Sequence, residues 1–117
     1  MPRSAAVDEL ATLMGVISHG DRIRIVEALR EGEKDVNQLT SELEISQARV
    51  SQHLSLLKSH RIVNKRKEGR HSYYSLAQKN IATWLAKGLD FIEVELQNSL
   101  EMQKELEALR DQWSRFG

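Results

Sequence analysis

A mainly α-helical chain with one small β-hairpin is what the sequence predicts, on three observations. Apolar residues recur at three- and four-residue spacing through most of the chain, one stretch turns β-rich, and that stretch with the helix before it carries a net positive charge between two net negative segments. The 117 residues suffice for one modest core, so a single domain over 1–117 is expected. With 40% apolar and 29% charged residues, the composition is that of a soluble folded protein. No apolar run approaches the roughly 18 residues that span a bilayer, and the opening MPRSAAVDEL lacks an apolar signal core, so a cytoplasmic location is expected. Cysteine is absent, which sets aside disulfides, thiolate metal sites and cysteine nucleophiles together.

Val7, Leu10, Leu13, Met14 and Ile17 mark a first amphipathic helix ending near Ser18-His19-Gly20. Asp21 suits the cap of a second, buried through Ile23, Ile25, Val26 and Leu29 and stopped at Gly32. Asp35 precedes Val36, Leu39 and Leu43, a third helix of about two turns, and Glu44-Ile45 makes a tight connection to Ser46, the cap of a fourth. Over Gln47 to His60, Val50, Leu54, Leu57 and the small Ala48 face inward, leaving Gln47, Arg49, Ser51, Gln52, Ser55, Lys58 and Ser59 outside. Two β-rich runs follow, Ile62 to Lys67 and Arg70 to Leu76, with Glu68-Gly69 as a two-residue turn. From Ile81 to Trp113 helical spacing continues without proline, so a long C-terminal helix is expected, with a break near Asn98-Ser99 left open.

The formal charge is zero, but it is unevenly placed. Residues 1–45 carry 5 Lys and Arg against 9 Asp and Glu, a net −4; residues 46–75 carry 7 against 1, a net +6; residues 76–117 carry 5 against 7, a net −2. Clustered cations favour a polyanion because each one near a phosphate releases condensed counterions. A short helix, a tight turn and a helix with a polar outer face is the helix-turn-helix arrangement, expected over 35–60, and the basic hairpin over 61–76 makes it winged. Double-stranded DNA is therefore the expected partner. Gln47, Ser51 and Gln52 suit base edges, Arg49 and Lys58 suit base or phosphate, and Lys65, Arg66, Lys67, Arg70 and His71 suit phosphates or a narrow minor groove.

Residues 45–58, ISQARVSQHLSLLK, followed by residues 69–76, GRHSYYSL, resemble the ArsR/SmtB family of winged-helix repressors, and Ile17 to Leu29 is similar to that family's second-helix pattern. The resemblance covers roughly residues 7 to 90. It implies a homodimer paired through its first and last helices (1–18 and 79–114), with Ser46, Gln47, Ala48, Ser51 and Gln52 facing an operator and Arg70 at the wing. The departures matter as well. Where many members carry a Cys-x-Cys metal pair this chain has Glu33 to Gln38, and no histidine follows His71 to supply the last-helix zinc site.

No cofactor and no metal are expected from the residues alone. His53 and His60 stand seven residues apart on one helix, about 10 Å, too far to share an ion. His53 is expected to pack at the helix edge or touch phosphate, and His19 to cap or pack at a helix junction. Of Tyr73 and Tyr74, which alternate across a strand, one should close the core. Trp84, Leu85, Leu89 and Ile92 make a stripe wider than one small core needs, which with Leu10, Leu13 and Met14 points to a homodimer. No phosphate-cradling loop or nucleophile elbow appears, so the chain is not read as an enzyme. The competing reading is a protein-interaction module using the long C-terminal helix, which does not account for a +6 segment lined with short polar readers. For an effector, three readings stay open: an unidentified small organic molecule in the dimer crevice, a metal held by unusual oxygen and histidine ligands, or none.

Overall fold

The computed structural model describes residues 4–95 and 100–115. The chain forms two compact units, residues 1–78 and residues 79–117.

The first unit runs α1 (Ala5–Ile17), α2 (Gly20–Ala28), a 3-10 turn (Leu29–Glu31), β1 (Lys34–Asp35), α3 (Val36–Leu43), α4 (Gln47–Ser59), β2 (Val63–Glu68) and β3 (His71–Leu76). Its core collects Ile25, Val26, Leu29, Leu39, Val50, Leu54, Leu57 and Val63, all essentially removed from solvent, with Ile45, Ile62 and Tyr74 closing the edges. At about 1.5–3 kcal/mol per large apolar side chain, this stripe-on-stripe burial outweighs any surface ion pair in holding α2, α3 and α4 together. Two arginines on α2 pin its neighbours: Arg22 Nη1 donates to Val16 O at 2.7 Å at the end of α1, and Arg24 Nη2 donates to Leu43 O at 2.8 Å at the end of α3. Both satisfy helix-end carbonyls that otherwise lack partners.

Several local expectations shift. The cap of α2 is His19, not Asp21: its Nδ1 accepts from Asp21 N at 3.1 Å, and the helix begins at Gly20. The hairpin is part of a three-stranded sheet ordered β1-β3-β2, because Lys34 and Asp35 pair antiparallel with Tyr74 and Tyr73. Two residues are too few for any alternation to announce a strand. Lys34 is 5% exposed, and its ammonium is held by Glu42 at 2.6 Å and Glu31 at 3.2 Å. The pairing of Glu68 with His71 moves the turn one residue on, to Gly69-Arg70. Gly69 has φ +60 there, the left-handed value that a two-residue hairpin opening on glycine uses.

The second unit departs from one long helix. α5 (Asn80–Glu95) and α6 (Leu100–Ser114) pack against each other, with Leu89 and Leu106 buried. Arg110 of α6 pairs with Asp90 and, at 2.7 Å, with Glu93 of α5, so the carboxylates that share a face of α5 clamp a returning helix. The expected break at Asn98-Ser99 lies outside the described residues.

Glu27 on α2 is 8% exposed, and neither of its carboxylate oxygens accepts a hydrogen bond among the described residues. Burial pushes its pKa up to about 7, although Arg30, 3.6 Å away, pulls it down. A raised carboxyl pKa means that the folded state holds its proton more tightly than the unfolded state. Stability is therefore full below about pH 4.5 and is lost as pH rises through about 7. Glu27→Gln should stabilise the protein by on the order of 1 kcal/mol or more at pH 8 and hardly at all at pH 4, read from denaturant unfolding at both values. An equal change at the two pH values would exclude a buried, titrating Glu27.

Candidate nucleic-acid interface

Three backbone devices set the pose of α4. Glu44 closes α3 in the left-handed region (φ 55, ψ 41) with its N–H donating to Thr40 O, which turns the chain sharply enough for Ile45 to enter the core. Ser46 caps α4, its Oγ accepting from Arg49 N at 3.3 Å. At the far end Arg61 N donates to Lys58 O and Ile62 N to Leu57 O, both at 2.9 Å, around Arg61 at φ 61, the pattern of a Schellman cap. That cap delivers the chain directly into β2, and Ala77 N to Ile62 O at 2.9 Å closes the base of the hairpin. Helix and wing are thus joined without slack.

Ser46, Gln47, Ala48, Arg49, Ser51, Gln52, Ser55, Lys58 and Ser59 are all exposed. Ala48, which the apolar pattern placed inward, is among them because it sits about 200° around the helix from Val50. The outer face of α4 is therefore short amides, hydroxyls and two cations, with no bulky apolar group. His53 is not on that face: its side chain is 12% exposed and turned towards α2, where Nδ1 accepts from Arg22 Nε at 3.3 Å and its ring meets His19 at a centroid distance of 4.6 Å. Burial first, then the charges of His19 and Arg22, lower its pKa below the ordinary 6.5, while Asp21 opposes them.

The cations divide into held and free. Arg49 Nη2 lies 2.6 Å from Asp21 Oδ2. Arg66 is held by Glu33 and Glu68, both at 2.6 Å, and its guanidinium lies 4.8 Å over the Tyr73 ring. The hydrogen bond from Arg66 keeps the Glu33 carboxyl below its ordinary value, and the two carboxylates push the arginine further up. Among the described residues Lys58, Lys65, Lys67 and Arg70 are exposed and engage no carboxylate, and His71 is exposed beside Tyr73. Tyr74, 7% exposed, is the tyrosine that closes the core. Alternation along the strands places some of the wing cations toward solvent without saying which are free; the pairing of Arg66 with Glu33 is a long-range contact that no local pattern announces.

The residues marked out for pairing differ in exposure. Leu10 and Met14 on α1 are 48% and 50% exposed and Leu13 is half-buried. On α5, Trp84 and Ile92 are 40% and 42% exposed, Leu85 is half-buried and Leu89 is buried. Val7 on α1 and Phe91 and Val94 on α5 are more exposed still, and the stripe reading did not include them.

Residues 19–65 match the family model described as bacterial regulatory protein, arsR family. The chain is 35% identical over 81 residues to the HTH-type transcriptional repressor SmtB of Mycobacterium tuberculosis, which covers 69% of this chain and 60% of that protein. It thus spans under two thirds of the length of such curated relatives. Among solved structures it is similar to the transcriptional repressor BigR of Xylella fastidiosa, at 34% identity and a TM-score of 0.57, covering 61% of this chain and 70% of that one. It is also similar to the homodimeric winged helix-turn-helix DNA-binding domain of a Mycobacterium bovis protein, at 26% identity and a TM-score of 0.69, covering 82% and 89%.

In a histidine NMR titration His53 should titrate below 6.5, and Asp21→Asn, which removes the neighbour that favours the protonated ring, should lower it further. A rise on that substitution would contradict the geometry.

Proposed function

The chain belongs to the ArsR family of bacterial regulatory proteins, and from that premise we propose that it is a sequence-specific DNA-binding transcriptional regulator, a repressor acting in the cytoplasm as a homodimer on an inverted-repeat operator. The observation that carries the reading is the outer face of α4, polar from Ser46 to Ser59 and backed by a buried stripe, with the free cations of the wing directly after it. Gln47, Ser51 and Gln52 read base edges in the major groove. Lys58, Lys65, Lys67, Arg70 and His71 engage phosphates or the adjoining minor groove, which orients the protein without specifying sequence. Arg49 and Arg66 join them only by leaving Asp21 and the Glu33–Glu68 pair. Two such units related by a two-fold axis meet major grooves about 34 Å apart. Repression is favoured over activation because the proposed mode of action, occupying an operator, needs no further surface.

Fluorescence anisotropy on duplexes from the upstream region of its own gene and on a scrambled duplex, at two salt concentrations, tests this. Selective binding that weakens with salt is expected. Lys65→Gln and Arg70→Gln should weaken binding to both duplexes and reduce the salt slope by about 1 each, whereas Gln52→Ala should cost about 1–3 kcal/mol of discrimination between them. Variants that leave both quantities unchanged would remove this face from the reading.

Dimerisation has its own check. Leu10→Glu and Trp84→Glu, at exposed positions, should give monomers by sedimentation and lose operator binding together. A dimer that survives both substitutions would place the interface elsewhere.

A further inference from the structure

We propose that His19, Asp21 and His53 form a site for a divalent late first-row cation of the zinc class, at the junction of α2 and α4. One donor atom from each of the three lies within 4.8 Å of the others. His53 Nε2 and Asp21 Oδ2 are 3.6 Å apart, close to the roughly 3.3 Å that separates two ligands held 2.0–2.1 Å from a tetrahedral zinc. The residues come from two places in the sequence, a His-x-Asp turn at the start of α2 and the inward edge of α4. The core that packs these helices together holds the donors near one another before any ion arrives. The His19 and His53 rings meet at 53°, not as a parallel stack. His19 is exposed, so solvent reaches the site and water can fill a remaining coordination position.

The donor set decides the class of ion. Two imidazoles and one carboxylate suit zinc and its neighbours, whereas calcium and magnesium favour oxygen-only shells. Binding has definite local costs. Nδ1 of each ring already accepts a hydrogen bond, from Asp21 N and from Arg22 Nε. Ligation of His53 through Nε2, the nitrogen that faces Asp21, therefore moves its ring proton to Nδ1 and gives up the bond from Arg22. Arg22 keeps its shorter bond to Val16 O.

The larger competitor is Arg49, whose guanidinium lies on the same Asp21 oxygen that faces His53. An ion and Arg49 contend for one carboxylate, which gives the site a signature that surface histidines lack: removing the arginine tightens metal binding. Occupation also releases Arg49, a cation of the exposed face of α4. That last consequence rests on the DNA-binding reading; the site itself does not.

The test uses the full chain without DNA: Co2+ titration followed by visible absorption, and Zn2+ titration in competition with a chromophoric chelator. Wild type should take up one ion per chain with a ligand-field spectrum. Asp21→Asn and His53→Gln should weaken binding by about tenfold or more, His60→Gln should leave it unchanged, and Arg49→Gln should tighten it several-fold. His19→Gln, at an exposed position, repeats the loss without disturbing the core, and circular dichroism confirms that each variant is folded. A wild type without a Co2+ spectrum, equal affinity in the Asp21, His53 and His19 variants, or no gain in Arg49→Gln overturns the proposal. A protein that binds DNA selectively but takes up no metal would refute this site and leave the regulator reading intact.

Discussion

The burial of Val50, Leu54 and Leu57 along one stripe of α4 is the constraint on which the rest depends. Each is fully removed from solvent, and together they contribute several kcal/mol that no other orientation of α4 recovers. Rotating the helix by even one residue, about 100°, would expose part of that stripe and bury hydroxyls and amides without partners. The polar face is therefore outward because the apolar face has nowhere else to go. The cap at Ser46 and the Schellman turn at Arg61 then fix where the helix begins and how it feeds the hairpin.

The same logic separates cations that are structure from cations that are surface. Lys34 is buried between two glutamates and Arg22 and Arg24 close helix ends, so none of them is available to a polyanion. Arg66 is held on the outer side of the sheet by two carboxylates and an aromatic ring. An exposed pair of this kind is worth little to stability, on the order of 0–1 kcal/mol, yet it changes what a phosphate would gain by approaching. The +6 of residues 46–75 thus overstates the charge free to meet a polyanion, since Arg49 and Arg66 are already compensated. A carboxylate partner also selects, because it yields only to an arrangement of negative charge that matches it well.

Periodicity carried most of the fold in the sequence. The spacing of Val7 to Ile17, of Ile23 to Leu29 and of Val50 to Leu57 placed three helices, and β-rich runs around Gly69 placed the hairpin. What escaped had no local signature. β1 is two residues long, and the left-handed turns fall on Glu44 and Arg61 where glycine would have flagged them. Helical spacing passes through Leu100 to Trp113 as readily as through Ile81 to Ile92, so it does not by itself separate α5 from α6; only the polar Asn98-Ser99 pair hints at a break between them. The candidate site was legible as a list of residue types but not as a set of contacts. His60 shares a helix with His53, but the neighbour that matters, His19, stands far away in sequence at the start of α2.

The apolar surface left on each unit is the remaining physical demand. Val7, Leu10 and Met14 face solvent on α1, as do Trp84, Phe91, Ile92 and Val94 on α5. Scattered apolar residues are ordinary on a protein surface, but these lie on helices whose inward positions are already occupied by Val16 and Ile17, and by Ala82 and Leu89. A helix that stays apolar beyond the face its own core uses offers a surface suited to a second contact, because exposed leucine, phenylalanine and tryptophan bring no stability and invite aggregation. In the proposed homodimer, a second copy of the chain would answer that demand with the least machinery. Such a two-fold arrangement would cover the same surfaces twice and would give two copies of α4 a fixed spacing, which a single short helix cannot supply by itself.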